Sequence, residues 1–188
     1  MIQKLFQDAL DTHQLLVQDP IFLKQVEQVA QACATAIQNK NTIFLCGNGG
    51  SFADAQHIAA EFVGRFLVER GPLPAICLGT NASSVTAIGN DYSFNDIFSR
   101  ELLCLAKPND VCIGITTSGN SPNVVSAIKV GLQNQVTVFG LTSNKQGAIT
   151  QLCPCIEVPS SSTPRVQECH ILIGHIICQW VDHVGQFN

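Results

Sequence analysis

Three apolar runs leave this chain little choice of fold: "TIFLC" at 42–46, "VCIGI" at 111–115 and "VTVFGLT" at 136–142. Each has the length of a strand, and none alternates strictly between apolar and polar residues. A strand with one wet face must alternate, whereas a continuous apolar run belongs in a parallel sheet covered on both faces. Two shorter runs, Ala75 to Leu78 and "CIEVP" at 155–159, read as further strands. Between the runs lie segments with helical periodicity. They are Ser51 to about Phe66, "SSVTAIGND" ending near Gly89, "NDIFSRELLCLA", "SPNVVSAIKVGLQNQ", and Pro164 to His183. Strands that alternate with helices specify an α/β architecture with a parallel sheet.

Two more helices precede the first strand. Ile2, Leu5, Phe6, Ala9 and Leu10 recur on a helical period that continues to Leu16. Asp19-Pro20 then supplies an N-cap and a proline suited to the first helical position of a segment ending near Asn39. With 188 residues, 46% of them hydrophobic, the chain suits one domain (1–188) with a substantial core.

Composition also excludes some partners. A net charge of -4 with no Lys/Arg run argues against nucleic acid, which requires a basic footprint. The N-terminus has no secretory apolar core, and "ILIGHIICQWV" is too short for a membrane span and is broken by His175. The nine cysteines sit mostly inside apolar runs, without a CxxC pair. They read as reduced thiols serving as small hydrophobes, which implies a reducing cytoplasm.

Two loops carry chemistry. After the third strand, "TTSGNSPNV" offers hydroxyls at Thr116, Thr117, Ser118 and Ser121. Gly119 lets the backbone approach closely, and Ser121-Pro122 starts a helix. Such a loop often only caps its helix. Four hydroxyls within six residues, at the end of a buried strand, favour an anion and most naturally a phosphate. After the first strand, "GNGGS" lacks both the third glycine of a dinucleotide fingerprint and the GK[ST] of a P-loop. Asn48 and the backbone at Gly49 and Gly50 therefore suit a small polar ligand.

The helix that follows carries His57 and Glu61 one turn apart on one face, within reach of one metal ion. By itself such a pair is more often a surface contact. The last helix adds Gln167, His170 and His175 to an apolar segment, where buried polar groups must find partners. Gln167 and His175 share a broad face, and His170 is rotated away from both and reads as structural.

"GNGGS", "DAQHIAAEF", "GNDYSFNDIFSR", "TSGNSPNV" and "RVQECHILIGHIIC" together resemble the phosphoheptose isomerases of the sugar isomerase (SIS) domain family, over nearly the whole chain. The resemblance implies a flavodoxin-like five-stranded parallel sheet flanked by helices, with the extra N-terminal helices (1–39) contributing to a homotetramer whose sites lie at subunit interfaces. It implies conversion of sedoheptulose 7-phosphate to D-glycero-D-manno-heptose 7-phosphate, the first step toward the heptose of bacterial lipopolysaccharide. Carried over by motif, the zinc ligands are His57, Glu61, Gln167 and His175, with Glu61 as base and His175 as acid. Substrate contacts come from Asn48, Gly49, Gly50 and Ser51, from Asn90 and Asp91, from Thr116, Thr117, Ser118 and Ser121, and from Glu61 and Gln167.

Family members commonly carry a histidine where this chain has Phe52. The stretch "SFADAQHIAAEF" also leans toward a non-enzymatic branch, the initiator-associating protein DiaA, which binds the replication initiator DnaA. That branch typically lacks the carboxylate and imidazole found here at Glu61 and His175.

Overall fold

The structure is a computed structural model, and residues 1–185 are described. The apolar runs form the expected sheet. Strands β1 (Ile43–Gly47), β2 (Ala75–Cys77), β3 (Val111–Ile115), β4 (Thr137–Ser143) and β5 (Cys155–Val158) lie in the order β2-β1-β3-β4-β5. Every neighbouring pair is parallel. Successive side chains enter opposite cores, as a pleated strand requires. Ile43 and Leu45 of β1, with Ile113 and Ile115 of β3, join one core. Phe44, Cys46 and Cys112 join the other.

Helices α2 (Pro20–Gln38), α3 (Gly50–Val63) and α7 (Thr163–Val184) cover the first face. Helices α5 (Ile97–Leu105) and α6 (Pro122–Gln133) cover the second, with α4 (Ala82–Asp91) alongside. Helix α1 (Ile2–Gln18) packs more loosely against α2 and α7, and buries only Thr12 and Leu16. The cap expected at Asp19 is present: its carboxylate accepts from the N–H groups of Ile21 and Phe22. Such a cap contributes about 1 kcal/mol. The cysteines pack as expected, with Cys104 exposed and the other eight buried and free. Burial pushes the Cys33 thiol up to about 12.

Some boundaries differ from the sequence expectation. "NDIFSRELLCLA" divides into a 3-10 turn at Phe94–Asp96 and α5, because the Ser93 hydroxyl accepts from the Asn95 N–H and tightens the entry. Helix α4 runs on to Asp91. A second 3-10 turn at Ala148–Gln151 was not expected at all.

The most consequential difference is at the end of α3, which stops at Val63 rather than near Phe66. Its last carbonyls are claimed by a side chain. Arg70 donates to the carbonyl oxygens of Glu61 and Phe62, satisfying groups that a helix end leaves without partners. The same guanidinium forms a 2.6 Å ion pair with Asp182 of α7, and both side chains are 3% exposed. Arg70 thus ties the end of the Glu61 helix to α7.

Removing one member of a buried pair leaves an uncompensated charge and typically costs about 3–5 kcal/mol. Asp182→Ala is expected to lower the unfolding free energy by at least about 3 kcal/mol in denaturant titration. A loss below about 1 kcal/mol contradicts this account of the α3–α7 tie.

Candidate active site

In the order β2-β1-β3-β4-β5, the chain reverses its winding direction between β1 and β3, and ligands bind outside the carboxyl ends of strands at such a point. Both sequence-flagged loops converge there. Gly49 adopts φ 56°, a conformation that disfavours side chains, and turns the chain from β1 into α3. Asn48 faces Asn123 of α6, and the two amides donate to each other at 2.8 and 2.9 Å. This reciprocal pair fastens the two loops together. The Asn48 amide retains one further donor and acceptor, while Asn123 retains only a donor because its Oδ1 also accepts from the Val124 N–H.

Beside it, the Thr116 hydroxyl is the hub of the second loop, 2.8 Å from Ser121 Oγ and 3.4 Å from Ser118 Oγ. Ser121 stands at the N-cap position of α6 but makes no capping bond, because its hydroxyl pairs with Thr116 instead. Gly119, at φ 69°, lies against Gly147. Asn120 accepts from the Ala148 N–H, so the 3-10 turn braces the loop. Ser118 is exposed, Thr117 and Ser121 are half-buried and Thr116 is buried, leaving a rigid hydroxyl rim open to an anion.

The acid, base and ligand candidates meet on α3 and α7. His57 Nε2 lies 3.0 Å from Glu61 Oε1 and 3.1 Å from His175 Nε2. The ligand atoms of the three all fall within 4.8 Å of one another. Phe66 stacks on the His175 ring at 5.4 Å and limits where it can turn. Two imidazole nitrogens facing each other repel unless one carries a proton or both share a cation. Bonds of about 2.0–2.2 Å in tetrahedral geometry separate zinc ligands by roughly 3.3–3.6 Å, close to the spacing here. The donor set therefore fits a divalent metal. Side-chain exposures of 50% for His57 and 25% for Glu61 leave a coordination position accessible.

Other expected residues fall elsewhere. The Gln167 amide rests on Gly50, where a Cβ would come within 2.5 Å of its Nε2. Gly50 precedes His57 by seven residues, about 10 Å along the helix, so the amide lies toward the far end of the seam from the His57–Glu61–His175 group. Ser51 is buried beneath the glycine turn. Asn90 and Asp91 lie exposed at the end of α4, where the Asn90 amide donates to Asp91. Phe52 lines an apolar cleft of about 200 Å³ with Val85, Phe94 and Phe98, beside Asn48 and Gly49.

Sequence reasoning missed Asn123, Asn120 and Arg70, whose partners lie 75, 28 and 112 positions away in the chain. It also missed Asp54, a turn before His57. Asp54 Oδ2 is buried without a partner, and burial raises the carboxyl above its ordinary range, partly offset by the charge of nearby His57.

Residues 22–143 match the SIS domain family. The phosphoheptose isomerase of Aneurinibacillus thermoaerophilus is 46% identical over 96% of this chain and 92% of its own length. That of Aquifex aeolicus is 45% identical over 97% and 95%. The chain belongs to the phosphoheptose isomerase family of SIS domain proteins. The solved phosphoheptose isomerase from Neisseria gonorrhoeae superposes with a TM-score of 0.91 at 37% identity, covering 97% of both chains. The flavodoxin-like sheet and the added N-terminal helices are thus features this chain shares with the phosphoheptose isomerase family.

His170 is structural within this family fold, as its rotation predicted. It is fully buried, and its Nε2 lies 3.3 Å from the Thr142 carbonyl, so the neutral ring donates there. Burial lowers its pKa from 6.5 to about 4, and the Thr142 bond opposes this only in part. Between those values the unfolded chain binds the extra proton and the native protein does not, so stability falls as pH drops from about 6.5 to 4. The loss attributable to His170 is expected to reach roughly 3 kcal/mol. Comparing wild type with His170→Gln across that range checks it; parallel pH profiles of stability would show that His170 does not titrate this way.

Proposed function

We propose that this chain is an aldose–ketose isomerase that converts sedoheptulose 7-phosphate into D-glycero-D-manno-heptose 7-phosphate through an enediol. The observation that carries the reading is the convergence of Glu61, His57 and His175 in a member of the phosphoheptose isomerase family. The hydroxyl rim at Thr116, Thr117, Ser118 and Ser121 holds the phosphate. Asn48, Gly49 and Gly50 lie beside it, and family likeness adds Ser51, Asn90, Asp91 and Gln167, which this structure holds apart from the cluster, as further substrate contacts.

Glu61 engages His57 through Oε1, leaving Oε2 to take the proton from C1 of the ketose. The released electron pair forms the C1–C2 double bond, while His175 delivers a proton to the C2 carbonyl oxygen. Return of a proton to C2 and loss of the O1 proton to His175 then give the aldose. Each such group typically contributes about 10²–10⁴ in rate. His57, Glu61 and His175 would hold one zinc per subunit; Gln167, the further ligand by family likeness, rests on Gly50 in this structure and would have to turn away from it to join them. When bound, the zinc polarises the carbonyl and hydroxyl oxygens.

The protein works in the cytoplasm as a homotetramer. Support comes from an apolar surface on and beside α1. Ile2, Phe6, Leu10, Val17 and Ile21 are exposed there, apolar side chains that association with further copies would cover. The adaptor reading fares worse, because a docking module has no chemical need for a carboxylate converging on two imidazoles. No helix among the described residues is long and apolar enough to cross a membrane.

A coupled assay on sedoheptulose 7-phosphate tests the reading. Wild type turns over, and Glu61→Gln loses at least about 10²-fold in kcat with the fold and tetramer intact. Ser118→Ala raises KM about ten-fold, the equivalent of one hydrogen bond to a charged group. Near-normal turnover in Glu61→Gln removes the proposed base, and an unchanged KM in Ser118→Ala displaces the phosphate. If wild type does not turn over with zinc supplied, the adaptor reading gains the weight.

A further inference from the structure

Gly50, Asp54, His57 and Glu61 recur at helix positions i, i+4, i+7 and i+11, which place them on one narrow face of α3. That face meets α7: Gly50 lies under the Gln167 amide, and His57 touches His175. Asp54 therefore lies in the seam between these two contacts. Its Oδ2 is covered by protein, yet accepts no hydrogen bond. A buried carboxylate oxygen without a donor is costly, so its persistence asks for a use.

His57 supplies the counterpart. Its Nε2 faces both Glu61 and His175, while Nδ1 makes no hydrogen bond among the described residues. A neutral imidazole that gives its Nε2 lone pair to a metal must carry its proton on Nδ1, and that N–H needs an acceptor to fix the ring. On one helix face, residues three apart have Cβ atoms about 5–6 Å apart. One free acceptor and one free ring nitrogen thus lie a single turn from each other.

We infer that Asp54 is a positioning residue: it makes no bond to His57 in this structure, and a turn of its side chain lets the carboxylate accept the Nδ1–H of His57 and hold that imidazole as a metal ligand. The inference rests on the proposed role of His57 in binding zinc and adds a residue to it. Asp54 touches neither substrate nor metal. It acts through His57, selecting the tautomer that leaves Nε2 free to coordinate.

The test is zinc affinity of the purified full-length protein, read by competition with a chromogenic chelator, alongside thermal melting of the metal-free form. Loss of such a supporting carboxylate typically weakens metal binding about 10–100-fold. Asp54→Ala is expected to show that loss. Asp54→Asn, whose amide oxygen still accepts a hydrogen bond, is expected to recover part of it. Neither change lowers the metal-free melting temperature, because each removes an unpartnered carboxylate from the seam. Wild-type zinc affinity in Asp54→Ala overturns the inference while leaving the zinc site standing. So does a fall in metal-free melting temperature that accompanies weaker binding and is not relieved by asparagine, since that marks a structural role. Failure of wild type itself to bind zinc removes both the site and this inference.

Discussion

The contact between α3 and α7 is the constraint on which the site depends. These helices are far apart in the chain and meet because both cover the same face of the sheet. Gly174 of α7 has no side chain where Ile58 of α3 packs against it, so the helices approach closely at the level of His57 and His175. Arg70 then fixes the far end by bonding the last α3 carbonyls and Asp182 together. A helix pair held at both places can carry a carboxylate and two imidazoles at bonding distance. Without that closeness, His57 and Glu61 would be an ordinary surface pair.

The second constraint is the sheet itself. Its winding reverses between β1 and β3, so the loops after those strands emerge side by side, and the Asn48–Asn123 pair locks them. The loops are polar where the strands are apolar, because backbone leaving the sheet must satisfy its own hydrogen-bonding groups. Ser118 Oγ accepts the Asn120 N–H, and the Thr116 and Ser121 hydroxyls pair with each other, which keeps the hydroxyl rim in place before any anion arrives. The protein thus separates two tasks, with an anion-holding edge at the strand ends and a ligand cluster along the α3–α7 seam.

Much of this was legible in the chain. The buried strands announced themselves as uninterrupted apolar runs, and Asp19-Pro20 marked a helix start that the structure caps as expected. Helix spacing put His57 and Glu61 side by side, and the family resemblance rather than the spacing marked them as a site. What was not legible depends on distant partners. Nothing near Arg70 signals Asp182, and nothing near Asn48 signals Asn123. Ser121 has every local mark of a capping residue, yet Thr116 takes its hydroxyl, a choice made by the folded loop. Gln167 shares a broad helix face with His175, but packing on Gly50 draws its amide toward the other end of the seam. Local pattern identified which residues carry chemistry, and tertiary packing decided which of them meet.

The most direct measurement is diffraction from zinc-loaded crystals soaked with the sugar phosphate, recorded on both sides of the zinc absorption edge. The account predicts one anomalous peak per subunit bonded to His57, Glu61 and His175, with the phosphate against Ser118 and Ser121. An anomalous peak elsewhere, or an ordered sugar phosphate that avoids both the cluster and the hydroxyl rim, would contradict it.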